Sequence, residues 1–460
     1  MPKESSTCKT LVRLCTVLFL QVFFLKDIHA AEVSKINTRS SPSETEFLFI
    51  GTMEHSNTIN NLSEKGLFHS LLLADYLYNK GMPSKGNTAM YALFDVDYLS
   101  QGLPDLAPLQ ALQYYSVYKI GHGNGIITSA LKHNFAGDCV NPGNCKVVDD
   151  LIKSSKGKQR YVFSMPNEDI NDLVAALQAK YSNFEFDPIP ADSTSYNVLL
   201  SVSDKKSITA QTINDGISTP DSYPPLVKPF SDDPNFIQDV GLLRHGSPTV
   251  KYSPLKSGLN KNETVYLVRH VEKYADTGFD IFPDDGNYGC IGEWRALFNP
   301  ESLHQILGYT LPDFLYAPNP THSYGKASYV RATTSIAPYS IKFNKLESFA
   351  PEEIGIDGFK MYKYLFYADQ GGPDFNGKTI LVSWESLNIE KMMLRLSLDF
   401  KNNPFNSKGG ILGSGWLDGF ENVIKIVIDS DGNLSVESLY EGISTTALRE
   451  SKVCPTGFSS

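Results

Sequence analysis

The ten residues Thr264-Val-Tyr-Leu-Val-Arg-His-Val-Glu-Lys273 constrain this chain more than any other stretch. Val265 to Val268 is a short apolar run rich in β-branched and aromatic residues, the composition of a buried strand, and it leads straight into Arg269 and His270. In open α/β sheets the crevice beyond the carboxyl ends of the strands is where ligands bind. A guanidinium there can hold two oxygens of a phosphate in a fork, and a neutral imidazole beside it can attack phosphorus or move a proton.

Two later segments give that pair its context. Ser328-Tyr-Val-Arg331-Ala-Thr-Thr-Ser-Ile-Ala-Pro338 brings a second arginine, and Thr379-Ile-Leu-Val-Ser-Trp-Glu-Ser-Leu-Asn-Ile389 is another apolar run ending on Trp384-Glu385-Ser386. In this order the three segments resemble the histidine phosphatase superfamily, with its phosphoglycerate mutase-like fold, and within it the members whose first motif reads Arg-His-x-Glu-Lys. The resemblance implies an α/β fold of three layers, α/β/α, with a mostly parallel sheet. It implies His270 as the nucleophile that takes the phosphoryl group, Arg269 and Arg331 as its clamp, Glu272 and Ser386 as further substrate-binding positions, and neither cofactor nor metal. The family's Trp-Glu-His-x-Asn-Ile motif has its second histidine where this chain has Ser386. No histidine follows His322, so only a residue from elsewhere, such as His322 or His304, could replace it. The acid that protonates the leaving group is open among Glu352, Glu353 and Asp276.

The same rhythm occurs earlier in the chain. Phe47-Leu-Phe-Ile50 followed by Gly51-Thr-Met-Glu54 has the shape of the opening motif, with Gly51 for Arg269, Thr52 for His270 and Glu54 for Glu272. Leu67, Leu71, Leu72 and Leu77 recur at helical spacing over 63–78, and further strands are expected at Ala89–Phe94, Arg160–Ser164 and Tyr196–Ser201. The expected organisation is two tandem domains, a degenerate copy over 45–206 and a copy with a partial site over 263–460, joined by a Pro-rich linker over 207–262. Leu243-Arg-His-Gly246 imitates a simpler form of the motif, but too little chain separates it from Val265 for the helix that should follow.

Composition sets the remaining bounds. Residues 1–30, with basic Lys3, Lys9 and Arg13 ahead of the apolar run Leu14–Leu25, read as a cleaved signal peptide, so export to a periplasmic or extracellular compartment is expected. The run is short for a membrane span. The formal charge is -10, and removal of four basic residues (Lys3, Lys9, Arg13, Lys26) and two acidic ones (Glu4, Asp27) makes it -12. Nucleic acid, which requires a basic face, is excluded as a partner. The four cysteines beyond the leader suit disulfides in an exported chain, with Cys139–Cys145 and Cys290–Cys454 as the expected pairs. Asn61, Asn262 and Asn433 stand in glycosylation sequons. The expectation is therefore an exported phosphomonoester hydrolase of reduced activity acting on a small phosphorylated substrate. The alternative is an inactive pseudophosphatase that binds a phosphorylated ligand or a protein partner.

Overall fold

In the computed structural model the described residues are 44–56, 61–80, 88–97, 103–117, 125–131, 146–154, 159–181, 184–190, 192–203, 207–226, 241–242, 250–273, 286–325, 327–368, 372–401, 419–444 and 448. The leader, Leu243–Gly246, Asp276, Cys139, Cys145 and Cys454 lie outside them.

Two seven-stranded sheets organise the chain. The first comprises β1 (Thr45–Ile50), β2 (Thr88–Asp97), β3 (Leu103–Pro104), β4 (Ile126–Leu131), β5 (Arg160–Ser164), β6 (Tyr196–Val202) and β7 (Ile208–Asn214). The second comprises β8 (Gly241–Leu242), β9 (Glu263–Arg269), β10 (Phe314–Ala317), β13 (Glu347–Phe349), β14 (Thr379–Trp384), β15 (Asn422–Ile428) and β16 (Leu434–Tyr440). A small hairpin, β11 (Ser323–Tyr324) with β12 (Ala327–Ser328), stands outside both.

The sheets have the same plan. Six strands of the first run β4-β2-β5-β1-β6-β7, and six of the second run β13-β10-β14-β9-β15-β16. Corresponding pairs also agree in sense: the strands up to β1 and up to β9 are parallel, and the last two of each sheet add on antiparallel. The fold class is thus α/β with two sheets of one topology, as the sequence suggests.

Strand alternation sets the layers. In β9, Val265 and Leu267 face a core made with α7 (Gly358–Phe366) and α8 (Ser386–Ser397), while Tyr266 and Val268 face Leu303, Ile336 and Tyr339 of α5 (Cys290–Ile306) and α6 (Arg331–Lys342). In β1, Phe47 and Phe49 pack on Ile170, Leu173 and Leu177 of α4 (Asn167–Tyr181). Leu48 and Ile50 meet α1 (Glu64–Asn79) and α2 (Ala107–Val117) in a core that continues into Leu297, Val330 and Ile341. A short α3 (Lys146–Ser154) completes the first half. Every residue of α2 is buried, because this helix has the first sheet on one side and α5 and α6 on the other.

The structure departs from the sequence expectations at several points. Residues 208–214 are no part of a linker but the edge strand β7, paired along its length with β6. Its polar Thr209, Gln211 and Thr212 hide it, since only Ile208 is fully buried. Arg331 is the first residue of α6. Asn61 is 1% exposed, its amide bonded to Ser340 Oγ at 2.6 Å and Gln110 Nε2 at 2.9 Å, so that sequon cannot carry a sugar in the folded chain.

Candidate active site

The parallel strands β9 and β14 end side by side, with Arg269 opposite Trp384 in register. The chain leaves β9 at His270, whose backbone N–H still donates to Trp384 O at 3.0 Å. His270 is 2% exposed. Its Nδ1 lies 2.8 Å from the carbonyl oxygen of Val271. A carbonyl only accepts, so Nδ1 carries the proton and Nε2 keeps its lone pair. Burial, and then the Arg331 and Arg269 guanidiniums, hold the imidazole well below its usual range, and it is neutral at physiological pH. The result is an oriented, unprotonated nitrogen in the field of two cations.

Arg269 is stacked on Phe420, its guanidinium carbon 3.8 Å from the ring centre. Arg331, 2% exposed, donates from Nε to Asn287 O at 2.7 Å and stands 5.6 Å over the Tyr329 ring. Tyr329 and Phe420 also flank the His270 ring, at 6.4 and 6.0 Å between centres. Arg331 lies at the amino end of α6, where the helix dipole favours negative charge and opposes a cation. An anion between the two arginines would offset that opposition. Ser335 Oγ accepts from Val271 N–H at 3.0 Å and donates to Arg331 O at 2.6 Å, locking the His270 loop to α6.

Ser386 is the first residue of α8, at the end of β14. Its hydroxyl donates to Glu385 Oε1 at 3.2 Å, and Glu385 Oε2 caps the helix through Asn388 N–H at 2.9 Å. The serine therefore offers no positive charge. Of the substitute histidines, His304 is stacked on Phe343 at 4.3 Å, and the His322 ring lies against Gly355. Glu352 and Glu353 form an exposed turn of 3-10 helix after β13. Among the described residues there is no cluster of three or more His, Cys, Asp or Glu fit to hold a metal, and no helix long and apolar enough to cross a membrane.

Glu272 is engaged by a buried arginine. Both of its oxygens are bonded by Arg295 of α5, at 2.8 to 3.0 Å, and Arg295 Nη1 reaches Glu441 Oε2 at 3.3 Å. All three residues are buried. Burial pushes Glu441 up to about 8; Arg295 pulls it down, while Glu272 and Glu421, crowding the same guanidinium, add to the rise. The first half contains the same strut. Glu54 Oε2 bonds His69 Nδ1 at 2.9 Å, and His69 Nε2 meets Asp215 Oδ2 at 3.4 Å. His69 and Arg295 are each the sixth residue of their helix, and Asp215 and Glu441 each follow the last strand of their sheet. The carbonyls of Glu54 and Glu272 accept from the residue before each helix, Ser63 and Gly289, at 2.8 and 3.1 Å. A glycine at the third helical position, Gly66 or Gly292, lets the turn pack on that carbonyl: a Cβ would lie 2.1 or 2.5 Å from it.

In the first half the place of the site is a pocket of about 220 Å³, open mouth included, lined by Gly51, Thr52, Ser164, Met165, Asp105 and Ala107 among others. No arginine or lysine lines it. Of the residues that shape the second-half site, Asn287, Tyr329, Ser335, Phe420 and Arg295 were not legible beforehand. Only Tyr329, two residues before Arg331, carries a local signal.

No family model matches the chain, and no curated protein matches its sequence. Among solved structures, a phosphoglycerate mutase from Plasmodium falciparum is similar at 16% identity, covering 43% of this chain and 96% of its own, with a TM-score of 0.24. At that identity and score the likeness assigns no chemistry to this chain.

Proposed function

We propose that the second half is a phosphoryl-binding site of the histidine phosphatase type and that the protein is a phosphomonoester hydrolase of reduced turnover. The observation that carries this is His270: buried, neutral, with its Nδ1 proton on the Val271 carbonyl, in the field of Arg269 and Arg331. In the step this supports, the Nε2 lone pair forms a bond to phosphorus as the bond to the leaving oxygen breaks, and that oxygen takes a proton from an acid. Water then cleaves the phosphohistidine to phosphate. The arginines hold the oxygens on which charge accumulates, and loss of one such donor typically costs about 10²- to 10³-fold in rate.

Ser386 favours slow turnover, because a neutral hydroxyl bonded to Glu385 replaces a cationic donor. The same observation supports the second reading, a pseudophosphatase that binds a phosphorylated ligand or protein partner without turnover. Hydrolysis of an aryl phosphate by the mature protein, alongside His270→Ala, decides between them. Activity abolished in the variant identifies the hydrolase. Vanadate binding lost in Arg269→Ala, with no hydrolysis by the wild type, identifies the binder. If vanadate does not bind at all, both readings fail.

The matching topology and the matching struts support descent of the two halves from one duplicated domain. The protein is further read as exported, residues 1–30 being removed and Cys290 pairing with Cys454. The mass of the secreted chain, before and after reduction, tests both points.

A further inference from the structure

The first half, whose pocket has no arginine in its lining, touches the site of the other half through the segment 286–288. Gly286, Asn287 and Tyr288 lie between α2 of the first half and the amino end of α6. On the site side, Gly286 O accepts from Val330 and Arg331 N–H at 3.1 and 2.8 Å, and Asn287 O accepts from Arg331 Nε at 2.7 Å. Gly286 has φ +79, and a Cβ there would meet Ser328 O at 2.4 Å, so this approach requires glycine. On the other side, the Asn287 side chain is held by two residues one turn apart on α2. Gln113 Nε2 donates to Asn287 Oδ1 at 2.7 Å, and Asn287 Nδ2 donates to Ser116 Oγ at 2.9 Å. Ser116 Oγ in turn donates to Gln113 O at 2.6 Å, and Asn287 Oδ1 also takes Tyr288 N–H at 2.8 Å.

Gln113, Ser116 and Asn287 are all at most 2% exposed. A junction that served only to join two halves could be apolar at no loss, since buried hydrogen bonds give little net stability while an unmade one is costly. What buried polar bonds add is direction. The first half contributes more of the same kind: Thr128 of β4 donates its N–H to Ser328 Oγ at 3.0 Å, and its hydroxyl bonds Pro320 O, gripping the segment that leads into Tyr329 and Arg331.

We propose that the first half is a positioning element for the anion site: Gln113 and Ser116 orient Asn287, and the Asn287 carbonyl fixes the plane of the Arg331 guanidinium. The inference rests on Arg331 being a phosphate ligand as proposed above. A guanidinium tied through Nε presents its other nitrogens in one direction, and a fork so preorganised binds oxygens with less ordering cost. The degenerate half would then have lost its own chemistry while keeping the surface that aims its neighbour's arginine.

The test is hydrogen exchange of the Arg331 Nε–H, followed by NMR in protein carrying nitrogen-15 arginine, its signal assigned by its disappearance in Arg331→Lys. Gln113→Leu is expected to speed exchange roughly five- to tenfold, the factor by which one buried hydrogen bond shifts an equilibrium, and Ser116→Ala to do so by a smaller factor. Asn61→Ala removes another polar contact between the halves, to Ser340 on α6, without touching Asn287. It should lower the melting temperature yet leave that exchange unchanged. Vanadate affinity should fall with the exchange protection in Gln113→Leu and Ser116→Ala, and not in Asn61→Ala. Unchanged exchange in Gln113→Leu and Ser116→Ala, or exchange changed equally in Asn61→Ala, overturns the proposal, as does lost protection with full vanadate affinity. A wild type that binds no vanadate refutes the phosphate reading instead, while the exchange result still reports whether the first half holds Arg331.

Discussion

The two halves share a strut and differ in their chemistry. After β1 the chain reads Gly51-Thr52-Met53-Glu54, and after β9 it reads Arg269-His270-Val271-Glu272. The glutamate is present in both, each time bonded to a basic residue at the same place on the next helix, with a second carboxylate beyond it. The arginine and histidine are present in one. Because Glu54 makes the same contact in a half with Thr52 in place of His270, the contact of Glu272 has an architectural reason: it ties the post-strand loop to the helix and to the far edge of the sheet. A motif can thus join residues with different duties, and a half that has the glutamate without the arginine and histidine separates them.

The comparison is broken most strongly at Arg295. Arg295→Ala leaves Glu272 and Glu441 facing each other in a buried space without their cation, and should cost about 3–5 kcal/mol by chemical denaturation. A cost below about 1 kcal/mol would mean the strut is dispensable. His69→Ala should cost less, since Glu54 is partly exposed and keeps Lys65 at 3.7 Å.

The next largest effect comes from pH, because the cation of one strut, His69, loses its charge in the accessible range while Arg295, the cation of the other, keeps it. Burial opposes the charge on His69, but its hydrogen bonds to Asp215 and Glu54 prevail and raise it to about 9. A raised histidine contributes stability that is complete below about pH 6.5, the value in the unfolded chain, and is lost as pH rises through 9. The loss is at most about 3 kcal/mol. Denaturation midpoints should decline across that window, and His69→Leu should flatten that part of the profile. An unchanged slope in the variant would exclude His69 as its source.

How much of this was legible depended on where the information lay. Strands β1, β5, β9 and β14 were readable because buried parallel strands are continuous apolar runs. His270, Arg269 and Arg331 lay in segments with local pattern. The edge strand β7 was not readable, since its exposed face is as polar as a loop. Nor were the struts: Glu54 and Asp215 are far apart in sequence, and no periodicity in a single chain joins them. Asn287 was invisible for a sharper reason, in that its contribution to the site is a backbone carbonyl, which every residue has.

A third break tests whether the empty half could simply be refilled. A Cβ on Gly51 would stand 2.3 Å from Asn167 Oδ1 and 2.6 Å from Tyr196 O, where Arg269 has room. Gly51→Ala should therefore destabilise by about 1–3 kcal/mol, the usual cost of overpacking, and Gly51→Arg by more. If Gly51→Ala is neutral, the first half has space for a side chain at this position, and the difference between the halves is shallower than the packing implies.

The smallest effect, and the one that most sharpens the functional reading, is a gain. Ser386 stands at the amino end of α8, 8% exposed, with the Glu385 carboxylate 3.2 Å from its hydroxyl. An imidazole placed there would find that carboxylate as partner for one ring nitrogen, which favours its charged form, and could turn the other N–H toward a phosphoryl oxygen. Ser386→His should raise kcat for an aryl phosphate by about tenfold, less than a fully preorganised donor gives because the surrounding side chains did not evolve around a histidine. The gain should vanish in His270→Ala/Ser386→His, since a better clamp is useless without the nucleophile. A rise from undetectable to measurable activity would mean that a pseudophosphatase lies one substitution from turnover. No rise at all, with vanadate binding intact, would place the deficit elsewhere in the mechanism, most directly at the leaving-group acid.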